Sequence, residues 1–117
     1  SVALARLNYV ELPVSDMAAS KAFFQKVAGW SLQEFAPTYA ATVTGHTDLG
    51  LQADSAEATT VPLPVIEVED LEAIFEAAKA AGGIIVREIF SFPGGRRFHV
   101  REPSGNEIAF WQAASQE

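Results

Sequence analysis

The sequence repeats itself at half length. Asp70 stands 54 positions after Asp16, and Gly83 stands 54 positions after Gly29. Each Asp closes an apolar run, "ELPVSD" in the first half and "VIEVED" in the second, and each precedes a helical pattern that stops at Gly. Two landmarks sharing one offset point to a duplicated unit, and a unit this long present twice is a paired module rather than a solenoid. Within each copy the Asp is expected to cap a helix by accepting from first-turn amides. Phe23, Phe24 and Val27 are expected to form one core stripe, and Leu71, Ile74, Phe75 and Ala78 a second. Gly29 is expected at positive φ, and Gly82-Gly83 is expected to end the second helix.

Short alternating runs follow each helix. In the first half they span Ser31–Phe35, Tyr39–Val43 and Thr47–Asp54; in the second, Ile84–Ile89, Arg97–Arg101 and Asn106–Gln112. With opening strands at Leu7–Val14 and Pro64–Val68, each half reads βαβββ. The fold class is therefore α+β: one domain of two tandem modules, residues 1–55 and 62–117, joined by an Ala/Thr/Pro-rich linker. One such unit leaves a sheet face bare, and two are expected to curve a mixed sheet around a shared cavity, a natural ligand site.

The bulk numbers exclude several functions. A net charge of −7 offers no basic surplus for displacing counterions from a phosphate backbone, so no nucleic-acid partner is expected. No apolar run reaches the ~20 residues of a membrane helix. No membrane association is expected, and the cytoplasm is the default location. The chain has no Cys, so thiolate metal sites and disulfides are out.

The front segment "LNYVELPVSDMAASKAFFQKVAGW" and the back segment "FPGGRRFHVREPSGNEIAFW", set in the duplicated layout, resemble the vicinal oxygen chelate superfamily. That group holds glyoxalases, bleomycin-resistance proteins and extradiol dioxygenases. The resemblance covers nearly the whole chain, and it implies a homodimer and a small-molecule ligand. In metal-binding members two ligands come from each module. By the family's spacing the first position here is Tyr9, its mate is Leu63, and the last is Ala109. The remaining one lies on the fourth strand, where Thr47, Leu49 and Leu51 are the inward candidates. None of these suits a divalent ion, which takes imidazole or carboxylate. The usual four-ligand site is expected to be missing.

Alternation then puts Glu11 on the face of Tyr9, and Glu107 on the face of Ala109. His99 occupies the place of the catalytic Tyr in the dioxygenase pattern. Glu11 and His99 are the catalytic candidates; Tyr9, Arg97, Glu107 and Trp111 are the ligand-contacting ones. A shifted metal site would use Glu11, His99 and Glu107, with a divalent ion such as zinc as cofactor. Of Arg96 and Arg97, one faces in and one out, and "SFPGGRR" is a candidate flap hinged on paired Gly. Two functions compete. One is a glyoxalase/bleomycin-resistance-like binder of a hydrophobic or amphipathic molecule, for which the acidic surface favours a cation. The other is a lyase or isomerase-type enzyme using Glu11 and His99, with or without a shifted metal.

Overall fold

The computed structural model describes residues 5–115. In chain order the elements are β1 (Arg6–Pro13), α1 (Met17–Ala28), β2 (Gln33–Ala36), β3 (Tyr39–Ala41), β4 (Asp48–Gln52), β5 (Leu63–Glu67), α2 (Leu71–Ala80), β6 (Ile84–Phe92), β7 (Gly95–Arg101) and β8 (Glu107–Ala113). The chain divides into two compact units, one spanning Asn8–Leu63 and the other running from Pro64 onward with the first residues of β1. The fold is α+β, and each half is a βαβββ module.

The two modules share one wiring. In the first the strand order is β2-β3-β4-β1; in the second it is β6-β7-β8-β5. In both, the strand before the helix pairs parallel with the last strand, Glu11 opposite Gly50 and Val65 opposite Ala109. The other pairings are antiparallel.

Both helices start as their sequences require. The Asp16 carboxylate accepts from the Ala19 amide at 3.0 Å, and the Asp70 carboxylate from Ala73 at 3.1 Å. A cap of this kind contributes about 1 kcal/mol by satisfying an otherwise orphan donor. Gly29 ends α1 at φ 71, left-handed backbone that a side chain rarely adopts. Helix α2 ends at Ala80, and Ala81 caps it just before the Gly pair.

Each helix covers one face of its own sheet. In the second module Leu71, Ile74, Phe75 and Ala78 all meet a core built on Phe98, Val100 and Val68. The Phe75 and Phe98 rings meet edge-on at 5.0 Å. The first helix departs from expectation. Phe24 packs with Leu32, Ala40 and Leu51, but Phe23 is 57% exposed and Val27 70%. The reason is angular: neighbours in a helix point about 100° apart, so Phe23 and Phe24 cannot both face a narrow sheet of short strands.

The segment expected to form a flap is instead a tight hairpin. Strand β6 continues to Phe92, which pairs with Gly95 across Pro93-Gly94, and β7 is paired to β8 from its first residue. The Gly95 position is closed on its other side by the Gln112 carbonyl, which a Cβ would strike.

Candidate functional site: two polar clusters on the sheet faces

Because α1 and α2 cover one face of each sheet, the alternate side chains emerge on the other. In the first module that face carries Tyr9 and Glu11 from β1, since Leu12 and Val14 pack toward the helix. Glu11 is only 2% exposed. A carboxylate so placed requires donors, and the Tyr39 hydroxyl donates to it at 3.2 Å. The Tyr9 hydroxyl in turn bonds the Tyr39 hydroxyl. Gly50 makes this meeting possible: a Cβ there would lie inside contact distance of both hydroxyls and 2.7 Å from the Tyr9 Cζ.

In the second module the corresponding face carries His99 and Arg97 from β7, and Glu107, Ala109 and Trp111 from β8. Cross-strand register sets His99 opposite Ala109, and Arg97 opposite Trp111. His99 is 2% exposed. Its Nδ1 lies 2.8 Å from the Glu107 carboxylate, a diagonal cross-strand contact. Its Nε2 is buried and has no hydrogen-bond partner among the described residues. Phe90 closes one side of the ring at 5.9 Å between centroids.

Burial is the largest influence on His99 and holds its pKa below the ordinary imidazole value. The Glu107 bond pulls upward, while the positive charges of Arg97 and Arg87 push down with burial. At neutral pH the ring is therefore neutral. A carboxylate can only accept, so Nδ1 carries the proton and Nε2 presents its lone pair. That arrangement can accept a hydrogen bond, take a proton or ligate a metal.

The sequence candidates fall into two groups. Glu11 and Tyr9 lie in the first-module cluster, and His99, Glu107, Arg97 and Trp111 lie on one face of the second. Of the Arg pair, Arg96 turns to the helix side and meets Glu72 of α2, its Nη2 at 3.1 Å from the carboxylate. Arg97 lies on the His99 face. Among the described residues no group of three or more His, Cys, Asp or Glu is placed to hold a metal ion. His99 and Glu107 do meet, but the Nδ1 of one is spent on the carboxylate of the other.

Three participants were not foreseen: Tyr39, Gly50 and Arg87. Arg87 sits opposite His99 on β6. By strict alternation positions 87 and 90 face opposite ways, but the register shifts between Arg87 and Phe90, and both reach the His99 face. A bulge of this kind leaves no period-2 signature in the sequence.

The family model of the Glyoxalase/Bleomycin resistance protein/Dioxygenase superfamily matches residues 6–110. The chain belongs to that superfamily. It is 26% identical to the "Putative glyoxylase CFP32" of Mycobacterium bovis over 91% of its length, and it spans 45% of that relative. Among solved structures it is similar to a glyoxalase/bleomycin resistance protein/dioxygenase superfamily member from Vibrio splendidus 12B01, with TM-score 0.69, 18% identity and coverage of 97% and 100% of the two chains. It is also similar to an extradiol ring-cleaving dioxygenase from B. fuscum, with TM-score 0.71 and 20% identity over 94% of this chain and 33% of that one. These likenesses show the fold.

Membership gives the register a further use. Val65 is the mate of Glu11 at the 54-residue offset, and the partners of Val65 and Glu11 across the parallel pairs are Ala109 and Gly50. The fourth-strand position equivalent to Ala109 is thus Gly50. This corrects the expectation of Thr47, Leu49 or Leu51; Leu49 and Leu51 pack toward α1 instead. By the spacing that the resemblance implies, the four metal positions would be Tyr9, Gly50, Leu63 and Ala109, and none of these offers imidazole or carboxylate. Their environment agrees: Leu63 and Ala109 are buried, and the space over Gly50 is filled by two phenol hydroxyls. A divalent ion held in the superfamily's manner does not fit these residues. The nearby Asp48 is also committed. Burial raises its pKa, but bonds from Thr42, Thr44 and Gly45 together hold it below the usual value. No helix among the described residues is long and apolar enough to cross a membrane.

Proposed function

We propose that this chain binds a small hydrophobic or amphipathic molecule against the His99 face of its second module, without the superfamily's four-ligand metal site. The observation that carries the reading is the Nε2 of His99: buried, oriented through Nδ1 by Glu107, and lacking a hydrogen-bond partner among the described residues. A buried polar atom left unsatisfied costs about 1–3 kcal/mol. A ligand hydroxyl or N–H that donates to Nε2 recovers that cost. Phe90 beside the imidazole and Phe92 beside Trp111 supply apolar surface from the neighbouring strand β6. The test is a titration of the native protein with Nile red, followed by dye fluorescence and by the His99 imidazole NMR signals. Saturable uptake that moves the His99 signals is expected. Uptake that leaves them unmoved, or no saturable uptake, overturns the reading.

A second reading is favoured by the same hydrogen bond. A neutral imidazole whose Nδ1–H is fixed on a carboxylate is a general base at Nε2, as a lyase or isomerase-type enzyme requires. Here His99 would exchange the proton and Glu107 would position it. Glu11 is the further carboxylate candidate, held by Tyr39. Deuterium incorporation from D2O into a panel of carbonyl compounds tests this. Incorporation that is catalytic and lost in His99→Gln supports it, and none above background removes it.

A further inference from the structure

We infer that Phe90 is a gate over the Nε2 of His99, and that the slipped stretch of β6 from Arg87 to Phe90 is the segment that opens it. The gate rests on the binding reading for what it admits, and it supplies the route by which that molecule reaches Nε2.

Register puts Phe90 where a cover must stand. Glu107 pairs with Arg101 across β7 and β8, and Phe90 pairs with Arg97 across β6 and β7. His99 lies midway between Arg97 and Arg101, so Glu107 and Phe90 occupy opposite diagonals of the same residue. The 2.8 Å contact with Glu107 directs Nδ1 along the first diagonal. The two nitrogens point to opposite sides of an imidazole, so Nε2 turns along the second, toward Phe90. The Phe90 ring centroid lies 5.9 Å from that of the imidazole. Nε2 is buried, whereas Phe90 itself is half-buried. The phenyl ring therefore stands between the acceptor and the surface.

The backbone beneath Phe90 is the part of this sheet best able to move. Strand β6 is the outermost strand of its module, next to β7 alone among the described residues. Its ladder with β7 slips twice, between Ile85 and Arg87 and between Arg87 and Phe90. A bulge leaves its extra residue outside the ladder, and an edge strand has no second neighbour to hold it. Local opening is drawn from such weakly held segments. The same slip also places the cover. In an unbroken ladder Ile89 would stand opposite Arg97; instead Ile89 packs into the helix-side core and Phe90 takes that position. The Arg87 guanidinium lies 3.6 Å from the centroid of the Phe90 ring, so the two ends of the slipped stretch stack on each other and can shift as one piece.

Diethyl pyrocarbonate, which acylates the bare nitrogen of a neutral imidazole, reads access to Nε2 without any ligand. The chain has two His, and His46 is exposed, so it reports the unhindered rate in the same sample. Both rates are followed at pH 7 by mass spectrometry of the two peptides. Wild-type His99 should react at least about tenfold more slowly than His46, because each reaction waits on a local opening. Phe90→Ala should speed His99 by about tenfold, whereas Ile84→Ala, at an exposed position of the same strand, should change it by less than about twofold. Urea below the unfolding transition should accelerate wild-type His99 only weakly, since a local opening exposes little surface. A wild-type rate equal to that of His46, or one that rises with urea as steeply as global unfolding, overturns the gate even if Phe90→Ala does not fold. Unchanged protection in folded Phe90→Ala, or equal acceleration by Ile84→Ala, overturns it as well. Nile red separates the gate from the site it serves. If the dye moves the His99 signals but Phe90→Ala leaves His99 protected, the binding face stands and the gate is wrong. If Phe90→Ala exposes His99 and the dye moves its signals in neither protein, the gate stands and the binding reading is wrong.

Discussion

Replacing His99 by Gln should change how folding stability depends on pH. His99 is 2% exposed, and burial, aided by the cations of Arg97 and Arg87, holds its pKa low against the upward pull of Glu107. In the unfolded chain an imidazole protonates near ~6.5. The sign follows directly. Below about 6.5 the unfolded state binds more protons than the folded one, so stability falls as pH falls, until the folded His99 itself protonates. For a single group the slope in that window approaches about 1.4 kcal/mol per pH unit. The variant lacks the group, and its amide can still bond Glu107. The stability of wild type relative to the variant should therefore fall, by up to about 1.4 kcal/mol per unit, as pH falls below about 6.5. Asp48, Glu72 and Glu102 are also held below their usual values, but they act in the more acidic carboxylate range and are common to both proteins. Urea unfolding at three pH values, read by the fluorescence of Trp30 and Trp111 at constant m, gives the margin. Parallel stability curves, or a wild type that gains on the variant as pH falls, would refute a neutral buried imidazole.

Gly50→Ala should destabilise the first module by about 1–3 kcal/mol, because the new methyl overlaps the Tyr9 and Tyr39 hydroxyls. In a Tyr9→Phe background the cost should shrink without vanishing, since the Tyr9 hydroxyl is gone while the ring carbon 2.7 Å from the new methyl stays; strictly additive losses in a thermal-unfolding cycle would contradict this. Dialysis against zinc, nickel or manganese followed by elemental analysis should find less than stoichiometric metal, since the ligand positions that the resemblance implies would be Tyr9, Gly50, Leu63 and Ala109. One equivalent bound tightly would show that other residues serve.

The parts of the fold that were legible in the sequence are those governed by local rules. Asp16 and Asp70 cap because first-turn amides need an acceptor, and the structure places both as read. Val100 and Phe98 alternate with His99 and Arg97, so the β7 faces followed from the period-2 rule. The positions that could not be read depend on contacts distant in sequence. Tyr39 reaches Glu11 from 28 residues away. Nothing in its own segment announces that, and the need for Gly50 appears only once two phenols converge on it. Arg87 was invisible for another reason: the bulge between Arg87 and Phe90 breaks the alternation from which its facing would be inferred. Val27 failed in the opposite direction, since a helical stripe signals a core only when the sheet beneath is wide enough to cover it.

The most direct measurement is the protonation state of His99 at pH 7, taken from the 15N shifts and proton couplings of its imidazole in selectively labelled protein. A neutral ring with the proton on Nδ1 and a bare Nε2, titrating below ~6.5, is the predicted result. A proton on Nε2, or an imidazolium cation at that pH, would contradict it, because the buried acceptor on which the proposed binding face depends would not exist.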